Sequence, residues 1–239
     1  MEKKLTVDVC LSPYLYPVHH KDDAIVVVID ILRATTAMCT AFQFGADKMI
    51  PVATLEEAME YKNQGFMVGA ERNGVALDGF DFGNSPYSYM TDKIKGQTIV
   101  ISTTNGTQAI EAAKTAHQVV IGAFTNITAL SDWLISQNRS VLLLCSGWKN
   151  RFNWEDSIFA GAVTKRLRAG GTYNTSDAAV AMAFLFEESQ KNQVRFLRGS
   201  SHASRLASMG LKKDVRYCFQ LDQTDAIPVM EGKYLVKLT

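Results

Sequence analysis

Apolar runs of strand length alternate with amphipathic helical patterns over most of this chain of 239 residues. After a strand-like alternation at the N-terminus, apolar runs predict strands at 26–29, 48–52, 66–69, 98–101, 118–121 and 140–145. Helical patterns predict helices at 34–44, 54–65, 107–116, 129–136 and 158–169, with a further helix start at Ser85-Pro86. Strands alternating with helices of this length are typical of sheets covered on both faces. The predicted fold class is α/β, layered α/β/α, with a largely parallel or mixed sheet.

The last third of the chain has a different pattern. It predicts helices at 176–188 and 200–207 and strands at 216–221 and 234–238. The chain contains no Pro-, Gly- or Ser-rich linker and no sequence repeat. We therefore expect a single domain over 1–239, with two tightly packed lobes, about 1–125 and 126–239, as the alternative.

Charge and cysteine content narrow the class of protein. The chain has 25 Lys and Arg against 24 Asp and Glu, and this near-neutral balance argues against nucleic acid as a partner. The four cysteines are scattered, which favours a reducing compartment. The sequence has no signal peptide and no apolar run of the roughly 20 residues that span a bilayer, so a cytoplasmic protein without membrane contact is expected. The oligomeric state is left open, with a homodimer among the options.

A hydroxyl-rich loop follows the strand at 98–101 and leads into a helix. Its side chains, the free backbone N–H groups and the positive end of the helix all favour an anion, most commonly phosphate. An ordinary strand-turn-helix with a capping Thr is the alternative. The loop consists of Ser102, Thr103, Thr104, Asn105, Gly106 and Thr107.

Acids and arginines follow several of the other predicted strands. Singly, they are explained by a local ion pair, a solvated turn or acids in the first turn of a helix. Together with the hydroxyl-rich loop they indicate Mg²⁺-assisted phosphoryl chemistry, because Mg²⁺ prefers carboxylate oxygens and arginine binds phosphate bidentately. The acids and arginines are Asp30, Arg33, Glu71, Arg72, Glu155 and Asp156, and Thr35 and Asn73 stand beside them in the same stretches.

Several blocks in one order carry a resemblance to a known family. They are Asp30-Ile-Leu-Arg33-Ala-Thr35-Thr36, Gly69-Ala-Glu71-Arg72-Asn73-Gly74, Phe82-Gly-Asn84-Ser85-Pro86, the hydroxyl-rich loop, Glu155-Asp156-Ser-Ile-Phe-Ala-Gly161 and Ser201-His202-Ala-Ser-Arg205-Leu206. Together they resemble the 2-phosphosulfolactate phosphatases over nearly the whole chain. One departure is Ala70, which separates the glycine and glutamate that are usually adjacent.

The resemblance implies a Mg²⁺-dependent hydrolase that removes phosphate from (R)-2-phospho-3-sulfolactate, a small anionic substrate, in coenzyme M biosynthesis. It implies Asp30, Glu71 and Asp156 as metal ligands, and Asp30, Arg33, Arg72 and Glu155 as catalytic residues. The implied substrate-binding residues are Thr35, Asn73, Asn84, Ser85, Ser102, Thr103, Thr104, Asn105, Gly106, Thr107, His202 and Arg205.

Other functions stay open at this point. An aspartyl-phosphate mechanism of the haloacid dehalogenase type fits Asp30 as nucleophile, but Leu32 stands where that class has a second Asp. Cys145 and Arg151 have the spacing of cysteine-dependent phosphatases, although Trp148 and Lys149 are bulky for their phosphate loop. A phosphatase of another small phospho-hydroxy acid and a non-catalytic binder of phosphorylated metabolites are the remaining alternatives.

Overall fold

A computed structural model describes residues 5–171 and 173–238 of the protein, so the first four residues of the predicted N-terminal alternation lie outside the described residues. Within the described residues, eleven strands form one mixed sheet and six of the ten neighbouring strand pairs are parallel. This confirms the predicted α/β class. The strands are β1 (Leu5–Cys10), β2 (Ile25–Ile29), β3 (Lys48–Pro51), β4 (Met67–Arg72), β5 (Val75–Ala76), β6 (Thr98–Ser102), β7 (Gln118–Gly122), β8 (Val141–Cys145), β9 (Tyr173–Thr175), β10 (Pro228–Glu231) and β11 (Tyr234–Lys237).

The helices pack around the sheet, and most of them begin within a few residues of their predicted starts. They are α1 (Tyr16–His19), α2 (Ala34–Gln43), α3 (Leu55–Asn63), α4 (Gly106–Ala113), α5 (Ile127–Ser136), α6 (Trp154–Gly170), α7 (Asp177–Ser189), α8 (Gln193–Phe196), α9 (Ser201–Ser208) and α10 (Lys212–Cys218). The predicted cap of α3 is present, since the Thr54 side chain accepts a hydrogen bond from Glu57 N. Ser85-Pro86 opens only a turn of 3₁₀ helix, Pro86–Tyr89.

The strand predicted at 216–221 is wrong, because this part of the chain begins inside α10. Its aromatic and apolar residues resemble a strand over a short window. The buried residues Val215 and Cys218, however, are three apart, which is helical spacing. A buried Asp214 in the same helix pairs with an arginine of the core, so tertiary contacts determine the outcome.

The C-terminal hairpin divides the sheet into two groups of strands, which are parallel within each group except for the edge strand β5. The strand order is β5-β4-β6-β3-β11-β10-β7-β2-β8-β1-β9, and β10 and β11 run antiparallel to both of their outer neighbours. As a result, β2 and β6 point in opposite directions along the sheet, which the sequence did not predict. Sheets twist by roughly 20–25° per strand, so the five steps from β2 to β6 turn the strands by roughly 100–125°. This twist allows the carboxyl ends of β2 and β6 to approach each other.

The core surrounds β2, in which every residue is buried. One large apolar cluster joins both faces of the sheet around β2, and a smaller cluster of Ile50, Val52, Ala58, Val68 and Val100 lies under α3. Strands at the centre of such a core hold the residues that follow them rigidly. In the described part of the chain, no helix combines the length and the apolarity that crossing a bilayer requires.

Candidate active site

A small polar pocket lies where the carboxyl ends of β2, β4 and β6 meet helix α9. Eight of its residues belong to the predicted site, and acids, amides and cations face one another across it. The lining residues are Asp30, Leu32, Arg33, Glu71, Gly74, Asn84, Thr104, Asn105, Trp148, His202, Arg205 and Leu206.

Asp30 follows β2 directly and is buried at the start of α2. Its Oδ1 accepts a hydrogen bond from Ala34 N at 3.4 Å, and its own N–H donates to Thr35 Oγ1 at 3.1 Å. Thr35 therefore shapes the backbone behind the carboxylate and does not line the pocket. Burial raises the pKa of Asp30 to about 6; nearby His202 lowers it, and the neighbouring acids Glu71 and Glu155 raise it.

Glu71 ties the end of β4 to the hydroxyl-rich loop. Its Oε2 accepts a hydrogen bond from Gly74 N at 2.5 Å, while its Oε1 accepts from Thr104 N and Thr104 Oγ1, both at 2.7 Å. Asn73 and Gly74 between them have positive φ angles of 55° and 83°, the left-handed conformation that Asn and Gly tolerate best. This tight turn places Gly74 in the pocket wall, whereas Asn73 is exposed beside it.

The side chains of the hydroxyl-rich loop mostly hold the loop itself together. Thr107 N donates to Thr103 Oγ1 at 3.1 Å, and Thr103 N donates to Thr107 Oγ1 at 3.3 Å. Ser102 is fully buried and its hydroxyl donates to Thr54 O. Of this loop, Thr104 and Asn105 line the pocket, and the backbone of Gly106 lies against Asp30.

The two predicted arginines have different positions. Arg33 is buried in the pocket wall, where its Nη1 donates to Asp214 Oδ2 at 2.5 Å and its Nη2 donates to Gly74 O at 2.8 Å. Arg72 does not line the pocket; it donates to Glu71 O and to Ser102 Oγ. Both guanidinium groups thus brace the turn that follows β4.

Helix α9 brings a histidine and a second cation to the pocket. His202 Nδ1 donates to the fully buried Glu155 Oε1, so Nε2 is the ring nitrogen left for another partner. The Trp148 ring stacks on His202 with a centroid distance of 5.2 Å, and the Arg205 guanidinium lies 4.2 Å from the Trp148 centroid. Arg205 Nη1 donates to Asn73 O at 2.6 Å. Its Nε and Nη2 are buried without a hydrogen-bond partner among the described residues, as is Glu155 Oε2.

Asp156 has a different position from the one expected of a metal ligand. Its carboxylate accepts hydrogen bonds from Ile31 N at 2.9 Å, Gly147 N at 3.1 Å and Asn153 Nδ2 at 2.8 Å, and it does not line the pocket. Burial, reinforced by the nearby acids, raises its pKa well above the usual range. Asp156 therefore fastens the loops after β2 and β8 together.

The predicted metal-ligand set of Asp30, Glu71 and Asp156 is not brought together. Across 5–171 and 173–238, no three His, Cys, Asp or Glu side chains are grouped so that they could hold a metal ion.

Of the remaining predicted residues, some line the pocket and others do not. Asn84 is buried in the pocket wall, and its Oδ1 has no hydrogen-bond partner in the described part of the chain. Ser85 lies outside the pocket lining, and its hydroxyl accepts no capping hydrogen bond.

Cys145, the candidate nucleophile of a cysteine-dependent phosphatase, is fully buried and does not reach the pocket. Burial raises the pKa of its thiol well above the usual range. Such a thiol is a poor nucleophile, which removes the cysteine-dependent mechanism.

Sequence reasoning missed Trp148 and Asp214. Trp148 was considered only as a bulky residue of a cysteine-phosphatase loop, and its stacking on α9 has no local signal. Asp214 lies 181 residues from its partner Arg33, in a segment predicted to precede a strand. In the sequence, an acid that follows two lysines is typical of a solvated helix end. Only the fold shows that Asp214 contacts Arg33.

Comparison with known proteins identifies the family of this chain. The family sequence model described as 2-phosphosulpholactate phosphatase matches residues 10–233. A protein of Thermotoga petrophila, named probable 2-phosphosulfolactate phosphatase, is 40% identical over 232 residues, which is 97% of this chain and 98% of the relative. Proteins with the same name from Gloeobacter violaceus and Carboxydothermus hydrogenoformans are 37% and 34% identical, over 94% and 98% of each chain. The chain therefore belongs to the 2-phosphosulfolactate phosphatase family, a family of phosphoric monoester hydrolases.

Proposed function

We propose that this protein hydrolyses (R)-2-phospho-3-sulfolactate to 3-sulfolactate and phosphate with the help of Mg²⁺. One observation carries the proposal: buried acids on one side of the pocket face a buried, unpartnered guanidinium edge on the other. Asp30 and Glu71 supply the acids and Arg205 the guanidinium. A substrate that combines a metal-bound phosphoryl group with a second anionic group matches both sides.

The oxygen donors of the pocket suit Mg²⁺. Asp30 is a buried carboxylate with acidic neighbours, and Asn84 Oδ1 is a buried oxygen without a partner. Mg²⁺ is commonly held by one or two carboxylates, with phosphate oxygens and water completing its shell, so a protein cage of three acids is not needed. We propose Asp30, Glu71 and Asn84 as the residues that would hold it. Bound there, Mg²⁺ would offset negative charge on the phosphoryl oxygens.

The phosphoryl group is placed by the backbone of the hydroxyl-rich loop. Asn105 lies at the N-cap of α4, whose first N–H groups have no partner within the helix. The reciprocal hydrogen bonds of Thr103 and Thr107 fix this bend, so its N–H groups are oriented before substrate arrives. Because they need not reorganise, such donors favour the charge that develops on the phosphoryl oxygens.

His202 is the residue proposed to protonate the leaving oxygen. A carboxylate oxygen only accepts, so the contact with Glu155 places a proton on Nδ1 and leaves Nε2 as the nitrogen available to the substrate. In the proposed scheme, a proton on Nε2 passes to the departing alkoxide. Glu155 is a positioning residue in this scheme, since it acts through His202. Cleavage of the phosphorus–oxygen bond thus yields the hydroxyl of 3-sulfolactate, and the oxygen of a water molecule takes its place on phosphorus.

Arg205 is proposed to bind the second anionic group, the sulfonate or carboxylate. A hydrogen bond from Nη1 to Asn73 O and the contact with the Trp148 ring hold the guanidinium group in place. Its Nε and Nη2 are then two oriented donors without a partner among the described residues. A buried donor without a partner costs free energy, and an anionic oxygen pair relieves that cost.

Phosphate release from (R)-2-phospho-3-sulfolactate, measured with Mg²⁺ and with EDTA, tests the function. We expect turnover that EDTA abolishes and Mg²⁺ restores. A panel of other phospho-hydroxy acids, including 2-phospholactate and 2-phosphoglycolate, tests the substrate. Preference for another member of the panel would replace the proposed substrate. Binding of the substrate without phosphate release under any condition would instead identify a non-catalytic binder.

A further inference from the structure

A second cavity lies on the outer side of the two helices that close the active site. It measures about 310 Å³ and is open to solvent between α9, α10 and the turn Leu197–Gly199. Its apolar lining consists of Val194, Leu197, Ala203, Ala207 and Val215, and its polar lining of Ser204, Arg198, Lys212 and Arg216. We refer to this cavity as the α9–α10 groove.

The groove is strongly cationic, and no acid lines it. Arg198, Lys212 and Arg216 are exposed, and no carboxylate of the described residues forms an ion pair with them. Seven of the 25 Lys and Arg residues fall within 191–216, where Asp214 is the single acid. Since Asp214 is buried against Arg33, it does not offset this charge at the surface.

A second open cleft extends the groove. It measures about 550 Å³, shares Val194, Arg198 and Arg216 with the groove, and adds Asn192 and Arg195. Arg198 and Arg216 therefore stand between a largely apolar compartment and a mostly polar one. A guanidinium in such a position can stack on a planar ring on one side and bind phosphate oxygens on the other.

The groove is separate from the active site although both use the same helices. On α9, His202, Arg205 and Leu206 face the active site, whereas Ala203, Ser204 and Ala207 face the groove. This division follows from helical spacing, in which residues three or four apart share a face. On α10, Asp214 contacts Arg33 of the active site, and its neighbours Lys212 and Val215 line the groove.

We propose that the α9–α10 groove and its cleft bind a nucleotide-type polyanion, with the ring in the apolar compartment and the phosphates on Arg195, Arg198, Lys212 and Arg216. The size of the groove is in the range of small-ligand pockets, which start at about 300 Å³. An inorganic anion would leave the apolar compartment unused. This site is independent of the proposed phosphatase activity.

Titration with the fluorescent probe mant-ATP tests the site, using the full-length protein in EDTA and about 150 mM salt so that metal-dependent turnover is absent. We expect saturable binding, weaker binding of inorganic tripolyphosphate in competition, and no competition by adenosine. Arg198→Gln combined with Arg216→Gln should weaken mant-ATP binding at least tenfold. The matched control, Lys93→Gln combined with Arg168→Gln, removes the same charge from exposed positions elsewhere and should bind normally.

Four results would overturn the proposal. They are the absence of saturable binding, equal binding by the groove variant, an equal loss in the control variant, and displacement of the probe by 3-sulfolactate, which would place it in the active site. Phosphate release from (R)-2-phospho-3-sulfolactate should be unchanged in the groove variant, so failure of the phosphatase proposal is recognised separately.

Discussion

The Asp30 carboxylate lies directly against the backbone of Gly106, so that a Cβ at Gly106 would be 3.0 Å from Asp30 Oδ2 and 2.7 Å from Ala34 Cβ. This contact joins the end of β2 to the start of α4. It brings a buried acid beside the N–H groups of a helix start, where an anion is favoured.

Gly106→Ala should therefore separate the acid from the anion-binding bend. We expect kcat/KM to fall at least tenfold, because small displacements of reacting groups cost orders of magnitude in rate. Steady-state kinetics and thermal melting should be measured together. Gly199→Ala is the control, since a Cβ there meets no heavy atom within 4 Å. Full activity of Gly106→Ala would show that the contact has no role in turnover.

Arg205 should determine how strongly turnover depends on a second anionic group in the substrate. Arg205→Gln should lower kcat/KM for (R)-2-phospho-3-sulfolactate by about 10- to 100-fold, the worth of a hydrogen bond to a charged group. It should change kcat/KM much less for 2-phospholactate, which lacks the sulfonate. Arg168→Gln, on the exposed face of α6, should leave both substrates unaffected. Equal losses for both substrates would indicate that Arg205 only supports the structure or binds the carboxylate that they share.

The sequence predicted the strand and helix order better than the way the strands assemble. Apolar runs locate β2, β6 and β8 to within a residue or two, because β2 and β8 are buried over their whole length and β6 over all but its first residue. Strand β10 was missed, since it is short and begins with a proline. No local pattern shows that the β10–β11 hairpin enters the middle of the sheet. The direction of β2 relative to β6 depends on that insertion.

For the candidate site, the motifs that follow strands predict which side chains reach the pocket more reliably than they predict what those side chains do. Asp30 and Glu71 reach the pocket, as their positions at strand ends suggested, and Asn84 reaches it from the loop before Pro86. Asp156 does not, because its carboxylate lies between the loops after β2 and β8, where it accepts from Ile31 N, Gly147 N and Asn153 Nδ2. Whether a carboxylate faces a ligand or the backbone depends on neighbours distant in sequence. The proposed roles of all these residues, and the single-domain organisation, stay predictions.

Glu155 and His202 should act as one unit. Each of Glu155→Gln and His202→Asn should lower kcat for (R)-2-phospho-3-sulfolactate by about 10²-fold or more, the usual contribution of a general acid. The double variant should lose little beyond the larger single effect. Both losses should be much smaller for 4-nitrophenyl phosphate, whose phenolate leaves without a proton. Equal losses on the two substrates would contradict proton donation and indicate a structural role.

The ionisation of Asp30 should be visible in the stability of the metal-free protein. Its pKa in the fold is about 6, above the ordinary value of 3.8, mainly because it is buried. Protonated Asp30 therefore stabilises the fold at low pH, and this contribution is lost as the pH rises through about 6. Metal-free Asp30→Asn should melt several degrees above the wild type at pH 8, and the difference should narrow below pH 6.

Melting in the presence of Mg²⁺ and turnover give two further tests of Asp30. At pH 8, Mg²⁺ should raise the melting temperature of the wild type and leave that of Asp30→Asn unchanged, and the variant should lose turnover. Asp78→Asn, an exposed acid of the same charge, should behave as the wild type. An Asp30→Asn variant that melts below the wild type at every pH would show that its carboxylate stabilises the fold in the ionised form.

Cys145→Ser should retain turnover, although Cys145 and Arg151 have the spacing of a cysteine-dependent phosphatase. The thiol is fully buried at the end of β8, and burial among acids raises its pKa so that no thiolate forms near neutral pH. We expect kcat/KM within about threefold of the wild type and a modest drop in melting temperature, since a hydroxyl replaces a buried apolar group. Labelling with iodoacetamide should be slow in the folded protein and fast in urea. Loss of turnover in Cys145→Ser together with activity that survives EDTA would restore the cysteine mechanism and remove the metal from the proposed reaction.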